Sequence, residues 1–305
     1  MKYWLSHITQ MSIPAALMLM VCALGMWVVD YVRTPEVWMN LLCTQILVLI
    51  SGLQLCTLLY RAKTTAQFTL LPAVLYIVAV AVFPYLRLHW QPQLFVILLL
   101  FFALATRNAS ESDEPNGLVF FFSLLFGILS LQMPDALWGI LLLWGTMLVQ
   151  YAFSLRTILA SLLGIALVAV YYVLAMYIGV ADNWEFSILF SREWVGNLLP
   201  ACLTVSLLIM IAGLTATTIA AFVRSSYDLV STRMLFYYTI LWGVISVPLI
   251  LFCTVAPDFI GVLSYVCAAI SSIFILQKQS EGRGVTFLLY LIVCVTLYAW
   301  GIISL

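Results

Sequence analysis

Residues 117–152 read GLVFFFSLLFGILSLQMPDALWGILLLWGTMLVQYA, a run of 36 residues with one charged group, Asp135, directly after Pro134. No other feature constrains the fold as tightly. As a single helix this run would extend about 54 Å, while the hydrocarbon layer of a bilayer is about 30 Å thick. It must therefore turn back on itself. Proline suits the first turn of a helix, and an aspartate oxygen can accept from the free N–H groups there. The MPD triplet is thus expected to be the tip of a helical hairpin, with Asp135 opening its second arm. Each arm is short, so full crossing and re-entry are both open.

The rest of the 305-residue chain has the same character, with 65% apolar and 8% charged residues and a mean hydropathy of +1.16. Soluble domains carry about a quarter charged residues. A chain so short of charge cannot present a wettable surface, so lipid is its expected solvent. Its 12 basic and 12 acidic residues give zero formal charge, which argues against a nucleic-acid partner. The seven cysteines lie in apolar runs without C-x-x-C spacing, and His7 and His89 have no acidic or thiol neighbours at ligand spacing. Neither a metal site nor another cofactor is expected.

Eleven apolar segments follow: 12–29, 37–59, 67–86, 92–106, 117–132, 136–152, 157–178, 198–222, 234–253, 259–276 and 285–303. The first is expected to be retained, since no small-x-small cleavage pattern follows it. None alternates as a barrel strand does. With the amino end in the cytoplasm, Lys2, Arg61, Lys63, Arg107, Arg156, Arg224, Arg233, Lys278 and Arg283 fall inside, and only Arg33, Arg87 and Arg192 outside. This asymmetry sets the orientation. The expected fold is an all-α, polytopic transmembrane bundle of ten to eleven spans. It forms a single domain over residues 1–305, with the N-terminus cytoplasmic and the C-terminus extracytoplasmic. The outer loop GVADNWEFSILFSREWVGN mixes Trp and Phe with charges and reads as an interfacial anchor.

Charge at mid-membrane usually marks function, and here no ionisable residue falls at mid-span. Polarity there is limited to Gln45, Gln54, Gln150, Thr215, Thr217 and Thr218, read as helix–helix glue beside small pairs such as Ala160/Gly164 and Ala216/Ala220. The outer face gathers Asp30, Glu36, Asp135, Asp182, Glu185, Glu193 and Asp258 with Arg33, Arg87, Arg192 and His89. Carboxylates there can cap helices. They can also act as a general base beside arginines that hold a lipid phosphate. Asp30 is the candidate catalytic residue, and Arg33, Arg87, Asp135 and Arg192 are the candidate substrate-binding residues.

Two resemblances attach to these residues. Over roughly residues 58–178, the order of LLPAVLYIVAVAVFP, QPQLFVILLLFFALATRN, the proline-marked hairpin and the single Arg156 before the next span resembles an uncharacterised family of bacterial multi-pass inner-membrane proteins. That resemblance implies an inner-membrane location and no assigned activity. The region is also similar, more loosely, to the membrane core of GT-C type glycosyltransferases, which act on polyprenyl-phosphate sugars with an aspartate in the first outer loop. Asp30 in VVDYVRTPEVW stands in that place. This loop, residues 30–36, is short, whereas the family's is long and partly helical.

The expected function is therefore a non-catalytic partner or scaffold in a cell-envelope pathway, with the bilayer and other membrane proteins as its partners. The alternative is a minimal lipid-linked sugar transferase, with Asp30 as base and Arg87 or Arg192 on the phosphate of a polyprenyl-phosphate lipid. A transporter of a neutral or amphipathic solute is third.

Overall fold

The computed structural model describes residues 20–21, 24–25, 27–33, 36, 38–62, 69–109, 116–150, 152–178, 208–213, 215, 230–252, 257–277 and 288–299. The described residues are helical, without strands, so the fold is all-α. In chain order the helices are α1 (Val28–Arg33), α2 (Trp38–Arg61), α3 (Leu71–Ala81), α4 (Pro84–Leu88), α5 (Gln91–Ala109) and α6 (Asn116–Ser130). A 3₁₀ turn (Pro134–Trp138) leads into α7 (Gly139–Val149), followed by α8 (Leu155–Tyr177), α9 (Val230–Phe252), α10 (Pro257–Gln277) and α11 (Leu288–Ala299). Residues 208–213 form a further helical stretch.

The centre is built from α3 and α10. Every residue of α3 is buried, as is α10 from Phe259 to Ile273. A helix apolar on all sides is stable only when surrounded, and α3 lies between α2 and α10. The outer neighbours follow in sequence: α5 against α2 and α10, α9 against α10 and α7, and α6 against α5 and α8. Phe95 of α5 ties this together, meeting Phe126 at 5.2 Å and Phe259 at 5.4 Å edge-on. A side chain at Gly139 would meet the Phe95 and Phe126 rings at 2.8–2.9 Å, so only glycine lets α7 start against them.

The hairpin turns at Pro134, but its geometry differs from the expectation. Met133 is the N-cap, no side chain caps it, and Pro134 and Asp135 open a 3₁₀ turn before α7 begins. Asp258 likewise stands second in α10, after Pro257. Segment 67–86 is also not one helix. Pro84 offers no N–H and pushes Phe83 into an extended conformation (φ −102°, ψ 112°), so α3 ends and α4 starts anew.

Two described helices, α2 and α8, are long and apolar enough to cross a membrane. They differ in their surroundings. Of the most apolar 18 residues in each, 50% are buried in α2 and 11% in α8. Helix α8 buries Thr157, Ser161, Gly164 and Val168, one stripe at helical spacing, mainly against α6, with Ser161 accepting from Trp144 Nε1 of α7 at 2.9 Å. Its remaining surface exposes Leu159, Leu163, Val170, Val173 and Leu174. Ser154 opens it with a reciprocal cap: the Thr157 N–H donates to Ser154 Oγ, and the Ser154 N–H donates to Thr157 Oγ1.

Candidate functional site

The break at Pro84 sets the site. It starts α4 on a new axis, and Arg87 on α4 turns inward until it is 2% exposed. On the other side, Trp27 is fully buried and accepts from the Tyr31 N–H at 3.1 Å, which fixes the start of α1 and brings Asp30 to face α4. Arg87 Nε donates to Asp30 Oδ2 at 2.5 Å and Nη2 to Oδ1 at 3.2 Å. This is the two-pronged pairing that suits a planar guanidinium and a carboxylate. Nη1 donates to the Ala81 carbonyl at the end of α3. The Tyr298 ring of α11 lies 5.0 Å from Arg87 Cζ, within cation–π range. One cation thus joins α1, α3, α4 and α11.

Its chemistry follows from these contacts. Each guanidinium nitrogen already donates within the protein, and both Asp30 oxygens accept from Arg87. The Asp30 side chain is 12% exposed. A base must meet a substrate proton within hydrogen-bond reach, and a phosphate clamp needs donors that face outward. This arrangement offers neither. It is an internal ion pair, screened from water by apolar neighbours.

Of the other candidates, Arg33 lies in α1, one turn after Asp30, and Asp135 lies in the 3₁₀ turn, which packs on α6 and α7. Arg192 lies outside the described residues. The structure therefore brings Asp30 and Arg87 together. Exposed His89 stacks on Tyr85, ring centres 4.4 Å apart, just beyond α4. Among the described residues, no three of His, Cys, Asp and Glu gather in a way that could hold a metal ion.

Two of the mid-segment polar residues link helices, as expected, and one bonds within its own turn. Gln45 accepts from Tyr31 OH at 3.3 Å, Gln150 donates to Thr106 Oγ1 at 3.2 Å, and Thr215 donates back to the Ala212 carbonyl at 2.8 Å. Gln54 is buried, and its amide has no partner among the described residues. Thr217, Thr218 and the Ala216/Ala220 pair lie outside the described residues. An interior set that the sequence reading passed over is Tyr76, Gln93, Thr146 and Trp242. Tyr76 OH donates to Gln93 Oε1 at 2.5 Å, and Trp242 Nε1 to Thr146 Oγ1 at 2.9 Å. Gln93 and Thr146 are the only signals of this in the sequence, since an aromatic inside an apolar run does not announce its polar tip.

Comparison of the chain with protein families, with curated proteins and with solved structures gave no match.

Proposed function

We propose that this protein is a multi-pass integral protein of the bacterial inner membrane, with ten or eleven passes, its amino end cytoplasmic and its carboxyl end outside. It acts there as a non-catalytic partner in a cell-envelope pathway. Helix α8 carries the reading. Its length of 23 residues corresponds to about 35 Å. It packs by one stripe and leaves leucines, valines and tyrosines uncovered on its other sides. Water would penalise that surface, and hydrocarbon does not. The hairpin at Pro134 returns the chain to the side it left, which agrees with basic residues Arg107 and Arg156 flanking it on one side.

The partner reading is favoured over the transferase reading by the state of Asp30 and Arg87, which are engaged with each other. The transferase reading draws its support from the same pair, since the proposed orientation puts both residues at the outer boundary. Replacing the pair by Asp30→Asn with Arg87→Met separates the two. A scaffold keeps its cellular phenotype at normal protein level, whereas a transferase loses it. Orientation is tested by single cysteines in a cysteine-free background. A membrane-impermeant maleimide applied outside should label Asp135→Cys and spare Ser110→Cys; the reverse pattern inverts the topology.

A further inference from the structure

Between α10, α11 and the 208–213 stretch lies a cavity of about 470 Å³, within the usual range of roughly 300–1,000 Å³ for ligand pockets. None of its described lining residues carries a charge. Its floor is Ala79, Cys267, Ile275 and Cys294, all buried. Its rim is exposed: Ile209 is 40%, Leu289 55% and Val293 41% exposed. The cavity therefore opens sideways, between two helical segments.

Shape and chemistry decide what fits. From Cys267 to Ile275 on α10, and from Leu289 to Leu297 on α11, the lining spans about 12 Å along each helix. It is a slot running parallel to the helices. Two of its polar groups are turned onto the protein itself: Tyr290 OH donates to the Leu75 carbonyl at 3.2 Å, and the Cys267 thiol to the Met210 carbonyl at 3.8 Å. Water needs two to four polar partners to settle in a cavity, and apolar cavities stay dry. One end of the slot lies beside the Asp30–Arg87 pair. Val82 and Leu297 line it there, and they adjoin Ala81 and Tyr298, the residues that hold Arg87. Apolar along its length, with an ion pair just beyond one end, the slot suits a hydrocarbon chain lying along the helices.

We infer that this slot holds one hydrocarbon chain of a membrane lipid, entering sideways past Val293, with its head toward the Asp30–Arg87 end. The inference rests on the lipid immersion proposed above. It gives the protein a lipid-binding site distinct from the general lipid surface of α8.

The full chain is reconstituted in phospholipid vesicles whose acyl chains carry a diazirine at mid-length, irradiated, and mapped by peptide mass spectrometry. Labelling at Met210, Cys267 and Cys294 is expected to exceed that at Leu159 and Leu163 of α8 several-fold. Ser271→Leu, which fills the floor, and Val293→Trp, which blocks the mouth, should each reduce slot labelling to the α8 level and leave α8 labelling intact. Intact α8 labelling also shows that a variant has inserted and folded. Slot labelling no higher than that of α8, or unmoved by Val293→Trp in a protein with normal α8 labelling, overturns the site while leaving lipid immersion in place. Absence of label from α8 as well overturns both.

Discussion

Asp30 and Arg87, 57 residues apart in the chain, meet oxygen to nitrogen at two points inside an apolar bundle. A buried pair of this kind is weak evidence for net stability, because desolvating both charges costs about as much as their attraction returns. Removing one member is different: the survivor keeps its desolvation cost and loses its partner.

The first prediction follows from that asymmetry. Asp30→Asn or Arg87→Met alone should destabilise the protein by about 3–5 kcal/mol. The double variant should lose much less than the sum of the two. Thermal unfolding of the four proteins in detergent measures the coupling. Additive losses would mean that the pair is not an energetic unit.

Pro84 is predicted to control the same coupling from a distance. It holds Phe83 extended and sends α4 off on its own axis, which is how Nη1 of Arg87 reaches back to Ala81. Pro84→Ala removes the restriction on Phe83, so α3 can run on through residue 84. Arg87 would then leave its place, and the Asp30–Arg87 coupling energy measured in a Pro84→Ala background should fall toward zero. Full coupling in that background would assign the turn to the ion pair and not to the proline.

Gly164 marks where α8 is held. A Cβ there would lie 2.7 Å from the Phe120 carbonyl and 2.9 Å from the Leu124 nitrogen, both backbone atoms that cannot swing aside. Gly164→Leu should therefore push α8 off α6 and cost at least about 1–3 kcal/mol. Leu163, the adjacent residue, is 62% exposed, so Leu163→Ala should stay within about 0.5 kcal/mol in the same unfolding assay. Equal effects at the two positions would contradict the packing direction of α8.

These residues also show what could be read from sequence and what could not. Helix positions were legible, because prolines, loops and charges punctuate apolar runs: the expected segment 37–59 coincides with α2 (Trp38–Arg61) to within two residues at either end, and 259–276 lies within α10. Gly164 was legible as a small residue on a helix, though its stripe runs through Thr157, Ser161 and Val168, and Ala160 stands beside it. The grouping of Asp30 and Arg87 on one face followed from the distribution of basic residues; their direct pairing did not. The order of burial was hidden altogether. Helix α3 is buried on every side and α8 on one stripe, yet both are apolar all round. Hydrophobic periodicity tells inside from outside only when the outside is water. Under the lipid immersion proposed above, the signal passes to small residues and polar pairs, which are few.

One such pair carries the last prediction. Trp242 is fully buried on α9, and its indole N–H donates to Thr146 Oγ1 on α7 at 2.9 Å. That hydroxyl already gives its own hydrogen to the Leu142 carbonyl at 2.8 Å, so its lone pair is oriented toward the indole. Thr146→Val keeps the shape of the side chain and removes the acceptor. The indole N–H is then left without a partner in an apolar interior, at a cost of about 1–3 kcal/mol. Trp242→Phe removes the donor instead and leaves a gap beside Tyr265, whose ring centre lies 5.6 Å from that of Trp242. Combining the two should cost less than the sum of the singles, because the valine no longer faces an unsatisfied donor. Unfolding midpoints of the two single variants and the double variant measure this. Losses that simply add would show that the hydrogen bond does not tie α9 to α7, leaving shape alone to hold them.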